Sequence, residues 1–305
     1  MKRPRFQFHH HGPWRPLGSA AMVNGPRPTF LSQKRARIPP RSRFLGRSDF
    51  YGVDTPLSRP ISHGRGISNC TCQLFFTNLP AAVVAGLLTP GLSLAPNLSA
   101  YPDLHPVIQL LCRQADTSWI LDGVTQGVGP QYEEMILLVP FVRKGANPQL
   151  YTFVVRMYLT DQVAVDIGNL HYGYAKKHAA VEIPAADAIV RHGGNTALVA
   201  AFHKTGPDVP CAVEGVPPNY AEMRAILALP VLGLVSRPSW PSLYVRSHFD
   251  WDDATATVAP MSCDVRYFSA FTPGMPSQVL SQVADGAFWL TDMKWTIEWP
   301  GEPLA

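Results

Sequence analysis

Charged side chains are scarce in this chain of 305 residues: they make up 16% of it, against 46% hydrophobic residues. Disordered chains are rich in charge and poor in hydrophobic residues, so this composition predicts a packed core. Long hydrophobic runs are also missing. The longest, Ala81–Leu88, stops before Pro90 and falls well short of the ~18–20 residues that span a bilayer. No transmembrane segment is predicted, and no apolar stretch near the start is typical of a secretory signal.

Acidic residues are absent from the first 48 positions, which carry 11 lysines and arginines. The rest of the chain holds 15 basic and 22 acidic residues, a net charge of about −7, and so predicts no basic surface for nucleic acid. Residues 1–65 are rich in Pro, Arg, Gly and Ser and lack any sustained helix-like or strand-like period. We predict a disordered basic tail over residues 1–65 and one folded domain over residues 66–305. A nucleic-acid arm, a transit peptide and a metal-binding His9–His11 are the functional alternatives for the tail.

Cysteines are few and odd in number, which argues against a disulfide framework. They lie at irregular spacing, at Cys70, Cys72, Cys112, Cys211 and Cys263. The one-residue gap between the first two is too short for a zinc knuckle, and no second pair follows. We predict reduced thiols in a cytoplasmic protein that has no metal and no cofactor. P-loop, HExxH and GxSxG motifs are absent too, so the sequence predicts none of the chemistries that depend on them.

What the chain does contain is a series of strand-like segments separated by turns. Gln131–Val142 and Leu150–Thr160 flank a polar Gly/Pro segment and predict a hairpin. Gly193-Gly194 is a turn dipeptide between two further apolar runs. Later strands are predicted at Ser242–Trp251, Asp264–Phe271 and Phe288–Trp299. This spacing predicts a mainly β (α+β) domain, an antiparallel barrel or sandwich with few helices.

Few segments predict helices. Leu79–Leu88 is the best early candidate, because it has a proline in its first turn and Pro90 as a stop. Val163–Gly168 is predicted to be a strand that follows a tight turn at Asp161. Pro217–Val235 fits a short helix and a strand equally well.

Two adjacent lysines, Lys176 and Lys177, follow the apolar segment Met157–Leu170. If this part of the chain is extended, Tyr172, Tyr174 and Lys176 share one face and Lys177 points to the other. Burial among aromatic groups would lower the pKa of Lys176 and leave a neutral amine that attacks carbonyl groups. The imine so formed is an electron sink for breaking a bond to the neighbouring carbon. By itself, the pair also fits a solvated strand end.

Residues 131–181 resemble the acetoacetate decarboxylase superfamily. Its Y-x-E strand, M-Y-L strand and Y-P-K-K motif are matched by Tyr132–Glu134, Met157–Leu159 and Tyr174–Lys177. A looser match extends over most of residues 70–235. The resemblance implies a barrel or cone-shaped β fold and a homo-oligomer. It also implies that Lys176 forms the imine and that Lys177 is the neighbouring cation, a mode of lysine activation known from acetoacetate decarboxylase itself.

The resemblance makes Glu134 the essential glutamate. Glu134 alternates with Ile136 and Leu138, so we expect it to face an apolar interior; Glu133 is the alternative. Tyr174 and Tyr172 are predicted to contact the substrate, and Arg113 or Gln109 to replace polar groups that this sequence lacks.

The sequence departs from the family pattern at several positions. An ungapped count places Cys70 and Leu111 where the family has a basic residue and a second acid, and Gly168-Asn169-Leu170 stands for its G-R-E. Imine chemistry survives these changes. We predict a carbon–carbon lyase that decarboxylates a β-keto acid through Lys176, with no nucleic-acid or membrane partner. The alternatives are an aldolase or dehydratase acting on a 2-keto acid through the same lysine, and a non-catalytic barrel that binds a small molecule.

Overall fold

The protein is described by a computed structural model over residues 64–95, 103–121, 123–128, 131–169, 174–184, 187–212, 220–233, 244–268, 280–283 and 286–299. The predicted tail lies outside these residues except for Gly64 and Arg65, which belong to the first strand. The three helices of this part of the chain are α1 (Ala81–Ala85), α2 (Gln162–Ile167) and α3 (Tyr220–Leu227). Its strands are β1 (Gly64–Pro80), β2 (Leu92–Leu94), β3 (Leu104–Leu121), β4 (Val124–Val128), β5 (Tyr132–Lys144), β6 (Tyr151–Leu159), β7 (Lys176–His178), β8 (Ala180–Glu182), β9 (Asp187–His192), β10 (Asn195–Lys204), β11 (Val209–Pro210), β12 (Val231–Leu232), β13 (Tyr244–Phe249), β14 (Thr257–Tyr267), β15 (Leu280–Val283) and β16 (Gly286–Trp299).

Seven of the strands close into a barrel. Their order around the ring is β1, β3, β5, β6, β12, β13 and β16, and β16 pairs back with β1. Neighbours are antiparallel apart from β6 and β12. Closing the ring leaves these strands without the exposed edges that invite aggregation. The prediction of a mainly antiparallel β-barrel with few helices is therefore confirmed.

A second set of strands extends from the barrel and covers part of its outer wall. β14 pairs with β16, and β10, β9 and β8 follow in that order. The main hydrophobic core lies between the wall and this extension, where Met135, Leu137 and Val139 of β5 pack with residues such as Val190 and Leu198. The alternate residues of β5 point into the barrel. Because β5 is buried on both sides, its sequence is a nearly continuous run of hydrophobic residues.

The predicted hairpin is present as β5 and β6, which pair antiparallel. Gly193 and Gly194 form the turn between β9 and β10, and their φ angles of 58° and 80° are ones that glycine adopts at little cost. The predicted strands at Ser242–Trp251 and Phe288–Trp299 correspond to β13 and β16. The one predicted at Asp264–Phe271 shares only Asp264–Tyr267 with β14, which begins at Thr257, and residues 269–271 lie outside the described ranges. The early helix is shorter than predicted, because Leu79 and Pro80 belong to β1 and Gly86 caps α1.

The predicted strand at Val163–Gly168 is wrong: this segment lies in and just after helix α2. Its N-cap is Asp161, whose side chain accepts a hydrogen bond of 2.7 Å from the Ala164 N–H. An aspartate cap satisfies one of the free N–H groups of a first helical turn, and so favours the helix over an extended chain. Pro217–Val235 contains both alternatives, since α3 is followed by β12.

None of the helices in the described ranges is long and apolar enough to cross a membrane. All five cysteines are buried and carry free thiols, as predicted.

Candidate active site

The two lysines point to opposite sides of β7, as the alternation predicts. Lys176 is buried, with 7% of its surface exposed, whereas Lys177 is exposed. β7 runs parallel to β6, with Lys176 opposite Met157. Tyr174 is buried as well, and Tyr172 lies outside the described residues. The chain therefore turns one amine of the pair into the protein and leaves the other in water.

Asn169 fixes the backbone of Lys176. Its side-chain amide donates to the Lys176 carbonyl at 3.0 Å and its oxygen accepts from the Lys176 N–H at 2.8 Å. On the other side, the Met157 N–H donates to the carbonyl of Ala175 at 3.4 Å. Asn169 thus acts as a short strand partner that holds the lysine in place.

Gly168 leaves room for the Lys176 side chain. Gly168 follows α2, and its N–H donates to the carbonyls of Ala164 and Val165. A Cβ at this position would lie 2.6 Å from Nζ of Lys176 and closer still to its Cδ and Cε. Its φ of −63° is ordinary for any residue, so contact with the lysine, and not backbone conformation, is what requires glycine here.

Glu134 is fully buried inside the barrel, and a short hydrogen-bonded chain holds it. Its Oε1 accepts from Nε2 of Gln114 at 2.6 Å, and the Ser68 hydroxyl donates to Oε1 of Gln114 at 2.6 Å. Ser68 and Gln114 are themselves buried. Oε2 of Glu134 is buried and has no hydrogen-bond partner among the described residues. A buried polar atom of this kind is rare and is often functional.

Burial shifts the protonation of these groups towards their neutral forms. It raises the pKa of Glu134, while the positive charge of Lys176 and the hydrogen bond from Gln114 act against that rise. Burial also lowers the pKa of Lys176, and the charge of Glu134 opposes that change. The pKa of Tyr174 is raised by burial and by Glu134, so its hydroxyl stays protonated.

Three buried thiols line the same region. Cys112 lies opposite Glu134 in the β3–β5 register, and its Sγ is 2.7 Å from Sγ of Cys72 on β1. Burial raises the pKa of Cys112 and of Cys70, and the charge of Glu134 adds to both changes. Cys70 and Cys112 therefore stay neutral and add only weakly polar surface beside the carboxylate.

A small cavity of about 30 Å³ lies near the lysine and the glutamate, although neither side chain is part of its lining. It lies inside the barrel, because Ile136 and Leu138 follow Glu134 on the inner face of β5. Tyr174 and Met157, the partner of Lys176 in β6, also line it. The rest of the wall is mostly apolar and includes Leu110, Val154, Phe249 and Trp295. The arrangement presents an amine and a carboxylate next to an apolar chamber.

Arg113 lies on the other side of the barrel wall. It is exposed and forms an ion pair with Glu133, with Nη2 and Oε1 2.8 Å apart. Its guanidinium also donates to the carbonyl of Ile183. Gln109, the alternative, is buried and donates to the Tyr267 hydroxyl at 2.7 Å. The structure brings neither residue to Lys176, so we do not retain Arg113 as a substrate contact.

The departures from the family pattern have different outcomes in the structure. Cys70 is buried, and it lies close enough to Glu134 for the carboxylate charge to contribute to its raised pKa. Leu111 lies in the main core opposite Met135 and faces away from the site. The polar group that β3 turns towards Glu134 is Gln114, which the sequence analysis missed together with Ser68. No local signal marks them, because their position depends on the pairing register of β1, β3 and β5.

Comparisons with known proteins support the fold. No protein-family model matches the chain, and no curated protein matches its sequence. The solved structure of the enduracididine biosynthesis enzyme MppR with the condensation product of pyruvate and imidazole 4-carboxaldehyde is 14% identical, with a TM-score of 0.52 over 82% of this chain and 91% of that one. Acetoacetate decarboxylase from Legionella pneumophila is 14% identical, with a TM-score of 0.51 over 86% and 96%. A further acetoacetate decarboxylase is 14% identical, with a TM-score of 0.51 over 83% and 95%. The chain thus has the acetoacetate decarboxylase-like fold that the resemblance implied.

We predict that Gly168→Ala displaces the Lys176 side chain with little loss of stability. The new methyl group meets a flexible side chain, and alanine is a good helix former, so the free energy of unfolding should change by no more than about 1 kcal/mol. Reaction of the amine with carbonyl compounds, measured by borohydride reduction, should fall by at least about tenfold. Gly86→Ala, at the helical C-cap of α1, is the matched control and should leave this reaction unchanged. Full reactivity in Gly168→Ala would contradict the packing.

We also predict that Gln114→Leu makes stability more dependent on pH. The change removes a donor to Oε1 of Glu134, so the pKa of Glu134 should rise further. Because a raised pKa means that the folded state binds the extra proton, stability falls as pH rises from the ordinary carboxyl range through the raised pKa. The loss relative to wild type, about 1–3 kcal/mol, should therefore grow with pH in urea unfolding experiments.

The matched control for this test is Gln109→Leu. Gln109 is an equally buried glutamine on β3, but its amide donates to the neutral Tyr267 hydroxyl. Its loss should cost a similar free energy at every pH. The same flat profile in Gln114→Leu would contradict the role of Gln114.

Proposed function

We propose that the protein is an enzyme that forms an imine between Lys176 and the carbonyl group of a keto acid. The observation that carries this proposal is the buried pair itself. Glu134, one oxygen of which has no hydrogen-bond partner among the described residues, shares the barrel interior with a lysine whose pKa is lowered by burial. A barrel that only binds an apolar molecule has no need for such a pair, because burying charged groups is costly.

The reaction begins with the neutral amine of Lys176, which attacks the carbonyl carbon. Loss of water gives a protonated imine. The bond between the α-carbon and the carboxylate carbon then breaks, and its electron pair moves towards the imine nitrogen. This step releases carbon dioxide and converts the imine into an enamine. The α-carbon next takes a proton, for which the protonated Glu134 carboxyl is the donor. Water finally hydrolyses the imine, releasing a ketone and restoring Lys176.

The apolar cavity supports decarboxylation of a β-keto acid as the reaction. The negative charge of the departing carboxylate spreads into the imine as carbon dioxide forms. Apolar surroundings solvate the starting carboxylate poorly and so favour this step. We therefore propose that the enzyme is a carboxy-lyase. The sequence predicts a cytoplasmic location, and the family resemblance implies a homo-oligomer.

Aldol or dehydration chemistry on a 2-keto acid is the second candidate. It is favoured by the position of Arg113, which pairs with Glu133 and does not hold a carboxylate beside the imine. The fold is also shared with MppR, solved with a condensation product of pyruvate and an aldehyde. In this case the imine of the 2-keto acid loses a proton from the carbon next to the imine carbon, and the resulting enamine attacks an aldehyde carbon. Carbon dioxide release from acetoacetate, compared with product formation from pyruvate and an aldehyde, separates the two reactions.

The first test is reductive trapping with borohydride in the presence of acetoacetate. We expect an adduct on Lys176, located by intact mass and peptide mapping, and its complete loss in Lys176→Ala. Lys177→Ala is the matched control, since Lys177 is exposed and leaves the buried amine in place. It should keep the adduct and shift the acidic limb of the pH–rate profile by about one unit or less. Adducts in Lys176→Ala but not in Lys177→Ala would reverse the assignment.

The second test is Glu134→Gln, which should separate amine reactivity from proton transfer. The negative charge of Glu134 raises the pKa of Lys176, so its removal should lower that pKa. The neutral amine would then be available at lower pH, and the acidic limb of the trapping profile should move down. Turnover should fall by about 10²–10⁴-fold, as expected for loss of a proton-transfer group.

Glu133→Gln provides the control for this test. Glu133 is the neighbouring acid on the opposite face of β5 and pairs with Arg113. It should change neither the trapping profile nor turnover by more than about twofold. An upward shift of the acidic limb in Glu134→Gln would contradict the proposed coupling.

A further inference from the structure

A surface cleft of about 290 Å³ lies next to the barrel cavity. The two share three wall residues: Leu227 of α3, and Ser247 and Phe249 of β13. The cavity and the cleft are therefore adjacent, and a molecule bound across these three residues would extend from the cavity towards the surface. Unlike the cavity, the cleft contains a permanent cation, Arg224.

Arg224 is held in position by aromatic rings. Its guanidinium carbon is 5.4 Å from the ring centre of Trp251 and 5.9 Å from that of Tyr220, both of which are buried. Arg224 and Leu227 are three residues apart on α3, so they project from the same side of the helix. Stacking of this kind orients a guanidinium without using its N–H donors.

Those donors are not used elsewhere in the described ranges. Arg224 forms no ion pair within 4.0 Å there, whereas Arg65, Arg113 and Arg191 each pair with a glutamate. Its side chain is half-buried, between the apolar cavity wall and solvent. A guanidinium with free donors in a cleft suits the planar, bidentate binding of a carboxylate.

We propose that Arg224 binds a carboxylate at the far end of the substrate from the carbonyl that reacts with Lys176. The apolar chain between the two groups would occupy the barrel cavity. This inference rests on the proposed function and narrows its substrate to 3-oxo dicarboxylic acids. One carboxylate leaves as carbon dioxide beside Lys176, and the other stays on Arg224 in the hydrated cleft. The product is a methyl ketone that carries a terminal carboxylate.

This division fits the energetics of the two compartments. A carboxylate in the apolar cavity is poorly solvated, which helps the group that is to be lost but would penalise one that is kept. In the cleft, the retained carboxylate keeps its water and gains a charge-assisted hydrogen bond. A substrate chain of suitable length thus places the carboxylate that is lost in the apolar cavity and the carboxylate that is retained in the hydrated cleft.

Product analogues test the subsite by borohydride trapping at Lys176. The matched pair is 6-oxoheptanoate and 2-heptanone, which have the same chain with and without the carboxylate; 4-oxopentanoate and 8-oxononanoate bracket the length. We expect half-maximal trapping at about tenfold lower concentration for the best carboxylated ketone than for its neutral match. Arg224→Gln should reduce this ratio to about one, and Arg224→Lys should restore part of it. Arg266→Gln, which removes an exposed charge from β14, should keep the wild-type ratio.

A ratio near one in the wild type, or a ratio unchanged in Arg224→Gln, would overturn the subsite. If no carbonyl compound is trapped at all, the proposed imine chemistry fails, and calorimetric binding of octanoate and 1-octanol decides the subsite alone. Octanoate should then bind more tightly than 1-octanol to the wild type and to Arg266→Gln, and lose that preference in Arg224→Gln. Thermal unfolding establishes that the variants are folded. Octanoate binding that is absent or indifferent to Arg224 rejects the subsite.

Discussion

Burying an amine and a carboxylate in one apolar barrel is the constraint on which the rest of the structure depends. Neither charge is well solvated there, and the hydrogen bonds that water would supply must come from the protein. The chain supplies some of them with Gln114, itself oriented by Ser68, and fixes the backbone of Lys176 with Asn169. One oxygen of Glu134 remains without a partner in the described ranges. That unsatisfied oxygen is the feature on which the proposed chemistry of the interior rests.

A barrel wall that turns Glu134 inwards must turn its neighbours outwards. Met135 and Leu137 therefore emerge on the outer surface of β5, where they would be exposed in a barrel standing alone. The extension formed by β14, β10, β9 and β8 covers them and makes the main core. The inward carboxylate of Glu134 and the hydrophobic exterior of the wall are thus two consequences of one strand alternation. The site is placed by strands packed on both sides, which restricts its movement.

The parts of this site that the sequence predicts are those governed by local alternation. The opposed directions of Lys176 and Lys177, and the inward direction of Glu134, follow from the pleat of a single strand. Prediction failed where the answer depends on pairing between strands. Arg113 lies between Cys112 and Gln114, which both lie on the inner side of β3. A shift of one residue in the pairing register therefore decides whether the Arg113 side chain points into the barrel or out of it. Gln114 and Ser68 meet Glu134 only through a register that spans three strands.

Local signals can also mislead when two of them compete. Val163–Gly168 combines apolar residues with a turn-forming Asp161, which fits a strand after a turn as well as a capped helix. The side chain of Asp161 decides for the helix by accepting the Ala164 N–H. The helix matters for the site because it ends at Gly168, where any larger residue would meet the amine of Lys176.

The same burial that destabilises the charged pair favours its reactive form. Burial raises the pKa of Glu134 and lowers that of Lys176, so it disfavours the ion pair relative to the neutral amine and the carboxylic acid. The neutral pair consists of a nucleophilic amine and a carboxylic acid, which are the two species that imine formation and enamine protonation require. Each pKa unit of such a shift corresponds to about 1.4 kcal/mol. Because the pKa of Lys176 is lower in the fold than in the unfolded chain, its cost to stability fades as pH rises through the window between the two values. For Glu134 the cost grows as pH rises from the ordinary carboxyl pKa to the raised one. Both costs thus have one origin, the burial of a charged form, and burial favours the neutral forms that the proposed reaction uses.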